Sequence, residues 1–180
     1  MERSDLGGRT PPGLFRASAG ARVSVLFEGG ARALLIAHAV LGFTAVFATT
    51  HHAVSAFLAA LGRPAQRQLR RFGWMASAST VAQALLGLSL YPVYRVRVRF
   101  ADLETSAPAV VQLFDLKEHL SALALALVLG ASFAGRALPA DAPAAESRAV
   151  AALSASGAAL VWAAALIGLY VTARHPVGRP

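Results

Sequence analysis

The chain has 180 residues, 56% of them apolar and 14% charged, with 17 Lys and Arg against 9 Asp and Glu for a formal net charge of +8. Soluble domains carry about 25% charged residues, so this is a membrane composition. No cysteine is present, which excludes disulfides, thiolate metal sites, iron–sulfur clusters and covalently attached c-type haem. The positive charge sits in arginines at the ends of apolar runs, the usual place in a membrane protein, so no nucleic-acid partner is expected.

Residues 1–20 are rich in Gly, Pro, Arg and Ser and read as disordered, the first part of a tail over 1–30. Residues 21–28, ARVSVLFE, suit a short interfacial helix or an extended piece. The first apolar run, 33–61, contains no charged residue and is too long for the core of a cleaved signal, so it is expected to stay as a span. It carries His38 and His52. Fourteen helical steps leave these two rings about 40° apart in azimuth and about 21 Å apart along the axis. They share one face near opposite edges of a bilayer, where an ionisable residue is a site hypothesis by default.

GRPAQRQLRR, 62–71, follows with four arginines and no acid. Arg63 and Pro64 stop the first helix, and Phe72 and Trp74 mark the interface at which a second begins. That helix, 72–94, ends at Tyr91-Pro92-Val93-Tyr94. In YRVRVRF, 94–100, arginine alternates with apolar residues, a period of two that predicts an extended, strand-like segment. ADLETSAP supplies turn chemistry after it. A third span, 114–135, opens on Asp115, Lys117, Glu118 and His119, with acids placed favourably near a helix N-terminus. The Ala/Pro-rich stretch 136–148 reads as a surface loop, and 149–173 is the fourth span before a tail at 176–180. The expected fold is all-α: an integral membrane four-helix antiparallel bundle forming one domain over 31–175, with a short extended segment in the second connection. The basic cluster at 62–71 assigns that connection and 136–148 to the cytoplasm, both termini outside, and the chain to a bacterial inner membrane.

In such a bundle the first and third helices run the same way. His38 and His119 each lie about five residues in, at matching depth, as two axial ligands of a haem iron require. Small residues fall on the same faces: Gly42, Ala45 and Thr49 follow His38, and Ala126 and Gly130 follow His119. They leave room for a flat macrocycle or for close helix packing. Tyr91, Arg95 and Arg97 come at the same level as partners for propionates.

On these residues the chain resembles the membrane b-type cytochromes, in which histidines from bundle helices clamp haem. Some members carry two histidines fourteen apart on each of two helices, for two stacked haems. Here Phe133 stands fourteen residues after His119, so His52 lacks a partner unless Met75 serves, and the resemblance implies one haem b rather than two. It also implies electron transfer with a quinone or with a redox partner docked at 94–113.

Two other readings compete. In one, the protein is a non-catalytic membrane subunit or assembly factor with structural histidines. In the other, His38, His119, Asp115 and Glu118 hold a non-haem metal through N/O ligands. Gln83 reads as an interhelical hydrogen bond and Trp162 as packing, while His51 and His175 read as structural. No G-x-S-x-G elbow, phosphate-cradling glycine loop or HExxH pattern is present, which removes the common hydrolase and nucleotide-binding classes.

Overall fold

The computed structural model describes residues 24–139 and 141–174, so the tail expectations for 1–20 and 176–180, and His175, lie outside the described residues. The described chain is helical throughout, and no strand occurs among the described residues. A turn of 3-10 helix at Glu28–Gly30 leads into α1, Ala31–Ala60, and α2 covers Gln66–Val93. A run of π-helix, Tyr94–Leu103, and a helical turn at Glu104–Ser106 lead to α3, Pro108–Ala137, and then α4, Ala144–Arg174. The helices are longer than the apolar runs that announce them. α2 starts inside the arginine cluster, because Arg67, Arg70 and Arg71 are good helix formers once Pro64 is passed. α3 starts at Pro108, whose fixed φ and missing N–H suit a first helical position.

Each long helix packs on two others: α1 on α2 and α4, and α3 on α2 and α4. The pairings run head to tail. On the α1–α2 side, residue 38 meets 87, 42 meets 83 and 52 meets 73; on the α3–α4 side, 128 meets 157 and 117 meets 168.

Three apolar clusters fill the interior along its length. Leu103, Val110, Val111 and Val171 form one end. Ala45, Val46, Ala48, Ala76, Ala124, Val128 and Val161 form the middle, and Ala56, Leu69, Leu138 and Val150 the other end. The middle is mostly alanine and valine, which lets helix backbones approach closely. Large apolar side chains point outward instead: Leu88 is 70% exposed and Phe133 64%. Buried hydroxyls largely satisfy themselves on their own helix, as Thr49 donates to the Ala45 carbonyl at 2.7 Å and Thr80 to that of Ala76 at 2.7 Å. That pattern suits a medium in which water is not available as a partner.

α1, α3 and α4 are long and apolar enough to cross a membrane; α2, with its arginines, does not reach the same hydropathy among the described residues. Gln66 at the start of α2 closes one end of the bundle by donating to the Leu138 carbonyl at 2.6 Å, just past the end of α3.

The strand-like expectation for 94–100 is overturned. Tyr94, Val98 and Leu103 recur at spacings of four and five, a wide helical period, and turn onto the end cluster. Leu103 is fully buried, which stabilises this conformation by about 1.5–3 kcal/mol. The intervening arginines reach carboxylates on different sides. Arg97 pairs with Glu28 at 2.8 Å, and Arg99 with both Glu104 at 3.1 Å and Asp115 at 2.9 Å. Over seven residues, alternation alone cannot separate a strand from a helix whose charged side chains fan outward.

A Cβ on Gly157 would lie 3.2 Å from Val128 Cγ2 and 3.4 Å from its backbone nitrogen, whereas one on Gly130 would meet nothing within 4 Å. Gly157→Val should therefore destabilise the bundle by about 1–3 kcal/mol through overpacking. Gly130→Ala should stabilise it by about 0.5–1 kcal/mol through helix propensity. Reversible unfolding of the detergent-purified variants in SDS reads both, and equal midpoints would contradict the α3–α4 contact.

Candidate functional site

A cavity of about 230 Å³ opens between all four helices at the end of the bundle nearest the π-helical run. Its wall is largely apolar, from Leu35, Phe43, Leu90, Phe114 and Leu169 among others. Six polar side chains line it: His38, Gln83, Tyr91, Tyr94, Lys117 and Thr172. Several are admitted by a glycine on a neighbouring helix. A Cβ on Gly87 would lie 3.3 Å from His38 Cε1, one on Gly42 2.8 Å from Gln83 Nε2, and one on Gly168 3.3 Å from Lys117 Cε.

His38 Nδ1 is buried and has no partner. The Tyr94 hydroxyl is likewise buried and without a partner. Its ring stacks on Phe114 with centroids 3.8 Å apart, and Lys117 Nζ lies 5.1 Å from the centre of that same Phe114 ring. Asp115 is engaged by Arg99, and among the described residues no carboxylate comes within ion-pair distance of Lys117. Buried polar atoms are nearly always hydrogen-bonded, so two orphaned atoms on residues of one apolar cavity make it the candidate site.

The expected pairing of His38 with His119 is not formed. His119 is exposed, does not line the cavity, and is hydrogen-bonded through Nδ1 to the Asp115 carbonyl at 2.7 Å. Two helical steps, about 200°, separate it from Lys117, and it is Lys117 that faces inward. Of the other expected site residues, Gly42 and Tyr91 line the cavity; Gly130 is exposed and does not. Arg95 is exposed, with its guanidinium 5.5 Å from the Phe100 ring centre. Arg97 is bound to Glu28, whose hydrogen bond holds that guanidinium above its ordinary value. Among the described residues no three His, Cys, Asp or Glu side chains cluster as metal ligands, so His38, His119, Asp115 and Glu118 do not form such a group.

His52 lies at the far end from the cavity and is 2% exposed, with its Nε2 buried and without a partner. It too is seated on glycine: Cβ atoms on Gly73 and Gly135 would lie 3.1 and 3.5 Å from Nε2. Gly73 and Gly87 are fourteen residues apart, the same interval as His52 and His38. The glycine spacing on the partner helix was the sequence signal for how the two histidines pack. Lys117 was missed because a lysine in an acidic, charged turn reads as surface. Trp162 donates to Thr50 Oγ1 at 3.0 Å across α4 and α1. His51 is exposed, donates from Nδ1 to the Phe47 carbonyl at 2.9 Å, and lies tilted between the Phe47 and Phe72 rings.

Comparison of the chain with protein-family profiles, with characterised proteins and with solved structures gives no match.

Gly73→Ala should cost about 1–3 kcal/mol, because the His52 ring, held between two glycines, has no room to withdraw. His52→Ala in the same chain should recover part of that loss, a coupling of about 0.5–3 kcal/mol in a double-mutant cycle read by SDS unfolding. Strict additivity would place the ring elsewhere.

Proposed function

We propose that this protein is an integral membrane four-helix antiparallel bundle that holds a lipophilic ligand or cofactor in the cavity beside His38. Three apolar helices support the membrane assignment. α2 joins them as a fourth span in this reading, since Trp74, Leu85 and Leu88 stand on its surface as lipid-facing residues do. One observation carries the ligand: His38 Nδ1 and the Tyr94 hydroxyl are buried and orphaned, on two residues that line the same apolar space. A ligand head that hydrogen-bonds there satisfies both while its apolar body replaces empty contact.

The redox form of this reading, a b-type haem passing electrons to a quinone or to a partner docked at 94–113, is favoured by the free His38 nitrogen, a neutral imidazole facing the cavity. His38 would hold iron and Tyr91 and Tyr94 would meet the propionates, while His119, exposed and off the cavity, would not take part. The bound group would supply the electron chemistry, and the chain would supply the dry pocket and its hydrogen bonds. A bacterial inner membrane, with 62–71 and 136–148 cytoplasmic, remains the proposed setting.

The test is the content of the purified protein: a dithionite-reduced minus air-oxidised spectrum with a pyridine haemochrome assay, and mass spectrometry of an organic extract. A bound lipophile or haem is expected. His38→Ala should lower its occupancy about tenfold and His119→Ala should leave it within about twofold. A preparation that neither carries nor takes up any such group would overturn the reading. A haem spectrum lost equally in both variants would restore the bis-histidine site and overturn the placement of His119.

A further inference from the structure

Resting on the cavity reading above, we infer that the ligand carries a carboxylate on an apolar body and that Lys117 is its anchor. The inference starts from a charge without a counter-ion. Lys117 enters an apolar cavity from α3, with its stem seated against Gly168 of α4. Among the described residues its amine has the Phe114 ring at 5.1 Å as a partner, and no carboxylate within ion-pair distance. Asp115, two residues back, is turned away and held by Arg99 at 2.9 Å. Glu118, one residue on, stands about 100° further round the helix and acts on the Lys117 amine through its charge, without forming an ion pair. A cation–π contact of this kind is worth about 0.5–2 kcal/mol, far less than the cost of placing an ammonium in an apolar membrane interior without an anion.

Charged groups in membrane interiors are normally paired, and among the described residues Lys117 has no ion pair. Tyr94 stacks on the Phe114 ring that the Lys117 amine also approaches; both residues line the cavity, and the Tyr94 O–H is buried without a partner. An ammonium and a phenol on one cavity are two donors of the kind a carboxylate accepts from, the first through a charge-assisted hydrogen bond. A neutral amphiphile would satisfy Tyr94 and leave Lys117 as it is. The remaining wall is apolar and takes the body, with small residues such as Ala39 and Ala165 giving it room.

Two bodies share this head chemistry: the acyl chain of a fatty acid and the macrocycle of haem, whose propionates are carboxylates. Each has an ester that keeps the body and removes the charge. The experiment titrates full-length detergent-purified protein with pyrenedecanoic acid and its methyl ester, read by fluorescence anisotropy. A second arm uses haemin and haemin dimethyl ester, read by absorbance. In one arm the acid should bind about tenfold tighter than its ester, and that arm identifies the body. Lys117→Gln should bring the acid down to the affinity of the ester, with ester binding within about twofold of the original. Equal binding of acid and ester in both arms by the unsubstituted protein would overturn the charge assignment while leaving the cavity reading in place. Failure of all four probes to bind would overturn both. The acid–ester comparison needs no variant, so a folding defect in Lys117→Gln cannot obscure it.

Discussion

The structure turns on where a polar side chain can be put inside a stack of helices that has no water to offer. The solution is steric before it is electrostatic: each large polar group is received at a position where the neighbouring helix has no side chain. His38 lies against Gly87, Gln83 against Gly42, His52 against Gly73 and Gly135, and Lys117 against Gly168. Glycine in a helix interior costs roughly 0.5–1 kcal/mol relative to alanine. That cost recurs here where His38, Gln83, His52 and Lys117 are housed, and once more in the middle cluster, where Gly157 lies against Val128.

From this constraint the two ends acquire different characters. Around His52 three helices close tightly, the ring is 2% exposed, and Gln66 seals the adjacent end through the Leu138 carbonyl. Around His38 a cavity opens between the helices. The π-helical run joins α2 to α3 beside it, with Leu103 in the end cluster, Arg99 tying the run to α3 and Arg97 tying it to the turn before α1. Two of the groups on that cavity, His38 Nδ1 and the Tyr94 hydroxyl, have no partner. Function in this account belongs to that end.

Much of this was legible in the chain, for reasons that can be named. Four long uncharged or sparsely charged runs give four long helices, three of them apolar enough to cross a membrane, where only a structure that satisfies its own backbone survives. The fourteen-residue interval put His38 and His52 on one face, and both are indeed packed against α2. Gln83, set among apolar residues, does reach another helix's contact zone. What failed was azimuth between helices. The level of His119 could be counted along the chain, but which of Lys117 and His119 turned inward depended on the rotation of α3. That rotation is set by the packing of Val110, Val111, Ala124 and Val128, spread over five turns. The arginine alternation at 94–100 failed for a related reason: its meaning lies in Glu28, Glu104 and Asp115, carboxylates far apart in sequence, and in the later burial of Leu103.

The central claim is therefore the rotation of α3, with Lys117 toward the cavity and His119 toward the outside. The chain has no native cysteine, so a single introduced thiol can report on it cleanly. The decisive measurement is electron paramagnetic resonance of nitroxides attached at Lys117→Cys and, separately, at His119→Cys in lipid bilayers, with collision accessibility to dissolved oxygen. The account predicts a mobile, accessible label at 119 and an immobilised, shielded one at 117. The reverse order would turn His119 toward His38 and contradict the site described above.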